Sequence, residues 1–138
     1  MKWMKEQIEK TGTLEIPSVG TSMYPLIKAG NMCTFIPFQP NEARKGDIIL
    51  FLTNEGRLVG HRILYISKDD GDIRYICKGD ANLTADMPVT ADNIIGKLVS
   101  IKKSNRRISV QSPFIKLWGR VIMTFPVISR VLQRSARR

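Results

Sequence analysis

From Thr13 to Ser112 the chain is a train of short segments: TLEIP, NMCTFIPF, GDIILFLT, RLVGHRILYIS, DIRYICKG, IIGKLVSIKK and RISVQS. Each is rich in β-branched and aromatic residues, and each is bounded by Gly, Pro, Asn or Asp clusters, the pattern of strands separated by turns. The spacing predicts a mainly β fold, an antiparallel sheet or barrel-like body of about six to eight strands. At 138 residues there is room for one domain with a substantial core and not for two of ordinary size. The composition, 43% hydrophobic and 25% charged, is that of a folded soluble protein.

Helical periodicity flanks the strands on both sides. MKWMKEQIEK reads as a short amphipathic helix with Trp3, Met4 and Ile8 on one side, closed by Gly12. At the other end, Phe114, Trp118, Val121, Phe125, Ile128 and Leu132 recur at steps of three or four. Lys116, Arg120, Arg130, Arg134 and Arg137 mark a second face, and Pro126 should kink or split the helix. The expected organisation is a β body over residues 1–110 and a basic amphipathic helical segment over 111–138.

Charge is divided just as sharply. All twelve acidic residues fall within residues 1–92, together with eleven Lys and Arg, whereas residues 93–138 hold eleven Lys and Arg and no acid. The formal charge of +10 is therefore a property of the tail, and such a block suits a nucleic acid or an anionic membrane surface. With Trp and Phe among the apolar residues, 113–135 fits the plane of an anionic membrane, and nucleic acid is the less favoured partner. The same stripe serves equally as a face packed on the sheet.

No run of about 18 apolar residues is present, and the first residues lack the continuous apolar stretch of a secretory signal. The expected location is cytoplasmic or peripheral on a membrane. Cys33 and Cys77 lie far apart without CxxC spacing, so neither a metal site nor a redox motif is indicated and no cofactor is expected. Buried free thiols are the first reading and a disulfide the second.

Four residues carry chemistry of interest, and each has an ordinary explanation when taken alone. Ser22, in SVGTSMYPL, is a turn hydroxyl as readily as a nucleophile. His61, in RLVGHRILYI, is the one histidine of the chain, and a strand histidine is more often structural than catalytic. Asp80 and Asp86 sit in YICKGDANLTADMPV, where turn aspartates usually cap their own backbone.

Taken in order, however, GTSMYP, KGDIILF, GHRI, KGDAN with a second aspartate, and IIGKLV closely resemble the type I signal peptidases. The resemblance covers residues 13–101. It is closest to the branch found in the endoplasmic reticulum, archaea and some Gram-positive bacteria, which has histidine where most bacterial members have lysine. It implies the signal-peptidase fold, in a form without the N-terminal membrane span usual in that branch. It further implies Ser22 as nucleophile and His61 as general base, with Asp80 or Asp86 orienting the imidazole.

That chemistry is coherent, because imidazole accepts the serine proton at neutral pH while a carboxylate on its other nitrogen fixes the tautomer. Many members carry a serine where this chain has Gly20. The implied oxyanion site is therefore built from backbone N–H groups at Gly20 and Ser22. Met23 and Tyr24 become walls of a substrate cleft, or else ordinary core residues. The implied substrate is a peptide or precursor protein with small residues before the cut, shedding a leader or signal segment.

Two other readings stay open. One is a self-cleaving repressor-type peptidase, which would use lysine and follow a DNA-binding domain. The other is an inactive peptidase fold retained as a membrane- or nucleic-acid-binding module. Oligomeric state is not readable from the residues.

Overall fold

The computed structural model describes residues 2–136, so Arg137 lies outside the described residues. The elements are α1 (Lys2–Thr11), β1 (Leu14–Pro17), β2 (Met32–Pro37), β3 (Ile48–Leu52), β4 (Leu58–Asp69), β5 (Asp72–Lys78), β6 (Ile94–Lys103), β7 (Arg106–Ser109), α2 (Pro113–Thr124) and α3 (Val127–Ala136). All seven segments read as strands are strands. They form one antiparallel sheet in the order β1-β2-β6-β3-β4-β5, with β7 paired to β6. The sheet stays open, with β1 and β5 at its ends.

β6 is the hub. One of its edges pairs with β2, while β3 takes residues 94–97 and β7 takes residues 100–103 of the other. Register shifts at Thr34/Phe35 and Leu50/Phe51 let a single long strand serve all three partners. The continuous apolar run of β3 then has a simple cause, because the strand is covered on both faces. Ile48 and Leu50 enter one core cluster with Phe35, Leu98 and Ile101, while the alternate residues Ile49 and Phe51 enter a second with Ile63, Tyr75 and Cys77.

α1 seals the first cluster through Met4 and Ile8, which are buried and stack at i, i+4. Trp3 does not join them. It is 62% exposed, because a step of about 100° per residue carries position 3 off the line through positions 4 and 8. At the other end Pro126 splits the helix as expected, leaving α2 and α3 on either side.

The docked face of α2 and α3 is rotated from the predicted stripe. Ile115 and Trp118 pack on the first core cluster, and Gly119, Ile122 and Ser129 are buried, whereas Phe114 and Phe125 face solvent. Among the described residues no helix is long and apolar enough to cross a membrane.

Cys33 and Cys77 are both free and buried, in different core clusters. Burial raises the Cys33 thiol to about 11 and the Cys77 thiol to about 12. Iodoacetamide at mildly alkaline pH should therefore leave the native protein unmodified and alkylate both thiols in urea, as read by intact mass. Rapid alkylation of either thiol in the native state would contradict this placement.

Candidate active site

Ser22 opens a tight turn, in which Tyr24 N–H donates to Thr21 O at 3.1 Å and Ile27 N–H to Met23 O at 2.9 Å. The turn is anchored from beneath by Met23, Leu26 and Ile27, all in the first core cluster. Gly20 precedes it with φ +82°, the left-handed region that glycine enters freely. Neither Thr21 nor Ser22 donates its N–H to a carbonyl among the described residues. Both N–H groups are thus left without a backbone acceptor beside the Ser22 hydroxyl.

His61 lies on β4 opposite Ile49 and is buried, with the Phe51 ring edge-on to it at 6.2 Å between centroids. Its Nε2 is 2.9 Å from Ser22 Oγ, and its Nδ1 is 2.6 Å from Asp86 Oδ2. A carboxylate only accepts hydrogen bonds, so Nδ1 carries the proton given to Asp86 and the unprotonated Nε2 of the neutral ring accepts from the Ser22 hydroxyl. Ser22, His61 and Asp86 thus form one continuous hydrogen-bonded chain. Asp86 is fixed in turn by its own N–H, which donates to Cys77 O at 2.8 Å.

Asp80 does not take part in that chain. Its carboxylate accepts from Arg62 Nε and Nη2, both at 2.8 Å, and from Trp118 Nε1 at 3.0 Å. The reason is strand alternation: consecutive residues of β4 point to opposite faces, so Arg62 turns away from the side occupied by His61. A buried guanidinium there demands a carboxylate, and Asp80 supplies it. The catalytic expectation for Asp80 is corrected on this ground: it is an ion-pair partner in the support of the site.

That support is extensive. The loop after β5 packs against the Ser22 turn so closely that a Cβ at Gly79 would lie 2.7 Å from Ser22 O and 3.0 Å from Ser22 Cβ. Ala81 N–H donates to Ser22 O at 2.8 Å, and Asp80 N–H to Met23 Sδ at 3.4 Å. From α3, Ser129 Oγ donates to Asp80 O at 2.9 Å and accepts from Lys78 Nζ at 2.9 Å. Lys78 also reaches Gly79 O and Asn82 O. Burial holds its ammonium below the ordinary value, and the nearby Asp80 and Asp86 carboxylates oppose that shift. On α2, Gly119 leaves room for Arg62, whose Nη1 would be 2.8 Å from a Cβ there. The two C-terminal helices are thus bolted to the loop that backs Ser22.

The site opens into a cleft of about 970 Å³ whose lining includes Ser22, His61, Asp86, Val19, Leu58 and Met87. A serine hydroxyl bonded to an imidazole whose far nitrogen meets a carboxylate is an arrangement suited to nucleophilic acyl transfer. No protein-family model and no curated protein matches this chain. Among the described residues no group of three or more His, Cys, Asp or Glu is placed to hold a metal ion.

Met23 lines the cleft although it is almost wholly buried, so both of its expected roles meet in one side chain. Tyr24 does not line the cleft. Its ring lies beneath Lys28 Nζ at 5.8 Å, because the turn that directs Met23 inward sends the next side chain outward. Arg62, Lys78 and Ser129 carry no expectation from the sequence, and Trp118 is expected only in the apolar stripe of the C-terminal helices, not beside the site. Arg62 did leave a signal, a charge inside the apolar strand GHRILYI, which has to find a partner when that strand is buried.

Proposed function

We propose that the protein is a serine endopeptidase of signal-peptidase type that removes a leader or signal segment from a precursor peptide. The observation that carries this reading is the Ser22–His61–Asp86 chain, with links of 2.9 and 2.6 Å, lying along an open cleft. The resemblance of GTSMYP, GHRI and KGDAN to signal peptidases supplies the substrate class, an extended segment with small residues before the cut.

In this mechanism Ser22 Oγ bonds to the scissile carbonyl carbon as its proton passes to His61 Nε2. Asp86 stabilises the imidazolium, and the backbone N–H of Ser22 faces the oxyanion. Collapse breaks the C–N bond, and His61 returns the proton to the leaving amine. Water, giving a proton to the same imidazole, then attacks the acyl-enzyme ester; the ester C–O bond breaks as the imidazolium returns that proton to Ser22 Oγ, and the acid product leaves. Among the described residues β1 pairs only with β2, and its residues Ile16 and Pro17 line the cleft, so its open edge offers main-chain hydrogen bonds to an extended substrate.

The test is incubation with a pool of synthetic export-leader peptides spanning their cleavage regions, read by mass spectrometry. The wild type should release fragments cut after small residues, and Ser22→Ala should release none. An intact pool with wild-type protein, or the same fragments from Ser22→Ala, would overturn the proposal.

A further inference from the structure

With Trp118, Ile122 and Ser129 committed to the body, α2 and α3 still present large apolar side chains to solvent. Phe114 and Leu117 on α2, Phe125 in the link, and Val127 and Val131 on α3 range from 55% exposed for Phe125 to 83% for Phe114. Leu117 is flanked by Lys116 and Arg120, and Val127 and Val131 by Arg130 and Arg134, all four of them exposed. The i, i+4 spacing of each basic pair sets it in a row beside the apolar row. No acidic residue occurs anywhere in 93–138 to offset them. Because the opposite face is fastened to Asp80, Lys78 and the first core cluster, the helices are not free to roll and hide this one.

We infer that the outward face of α2 and α3 docks the protein on an anionic lipid bilayer. The apolar row enters the boundary between headgroups and acyl chains, and the basic row meets the anionic headgroups. Nucleic acid would use the basic row, and the rings of Phe114 and Phe125 could stack on unpaired bases, but the aliphatic Leu117, Val127 and Val131 have no role there. A second copy of the same face would set like charges against each other. This set replaces the one expected from periodicity, since Trp118 is bound to Asp80 and Ile128 is half-buried. The inference stands apart from the peptidase proposal, and Ser22→Ala should dock as the wild type does.

Flotation of the full chain with vesicles of phosphatidylcholine alone, and of phosphatidylcholine mixed with phosphatidylserine, tests it. The protein should float only with the anionic vesicles, and added salt should weaken binding. Leu117→Ser combined with Val131→Ser should reduce binding about tenfold, with circular dichroism checking the fold. Phe114→Ser combined with Phe125→Ser supplies an independent pair should the first misfold. Failure to float with either vesicle, unchanged flotation in a folded variant pair, or a shift of DNA or RNA in place of flotation would overturn the inference.

Discussion

Asp80→Ala is expected to lose about 3–5 kcal/mol of stability, the usual consequence of removing one partner from a buried ion pair. The side chains of Asp80 and Arg62 are 2% and 4% exposed, so the deletion strands a guanidinium where water cannot replace the carboxylate. It also takes the acceptor from Trp118 Nε1, loosening α2. Asp86→Ala should behave differently. Its side chain is 24% exposed and the partner imidazole can be neutral, so the expected loss is that of a buried Nδ1–H left without its acceptor, about 1–3 kcal/mol. Urea midpoints of the two variants check the contrast. Equal midpoints, or a larger loss from Asp86→Ala, would contradict the division of labour between the two aspartates.

That division could not be read from KGDANLTAD alone, because both aspartates occur in a polar, turn-forming stretch and nothing local says which one reaches His61. It is set by the path of the loop, which Gly79 allows to lie against Ser22. The strands, by contrast, were readable, since β-branched runs cut by Gly, Pro, Asn and Asp have few other solutions. Pro126 announced the break between α2 and α3 for a local reason, its missing N–H and fixed φ.

What periodicity misjudged was rotation about a helix axis. Phe114 and Phe125 fitted the apolar stripe by spacing, but the docked face is chosen by Trp118, which donates to Asp80, and by Gly119, which leaves room for Arg62. Such pairings join residues 38 apart or more along the chain and leave no trace in the pattern of one helix. Ser129 shows this most plainly: an ordinary polar residue in sequence, it is almost wholly buried between Lys78 and Asp80.

The second large effect concerns rate. Ser22→Ala and His61→Ala should each reduce peptide cleavage by on the order of 10⁶-fold, and Asp86→Ala by about 10⁴-fold, the scale of loss when a nucleophile, its base or its orienting carboxylate is removed. The Ser22→Ala/His61→Ala double variant should be no slower than either single one, because neither group is useful without the other. A double variant slower by the product of the single losses would mean that the two side chains act independently.

Whether Ser22 is an activated nucleophile can be measured without knowing the substrate. A fluorophosphonate probe mixed with the native protein should add one adduct by intact mass, mapped to Ser22 by peptide sequencing, and the adduct should vanish in His61→Ala while Ser22→Ala stays unlabelled. No adduct on the folded wild type, an adduct on another serine, or undiminished labelling of Ser22 in His61→Ala would contradict the assignment of Ser22 and His61 as nucleophile and base.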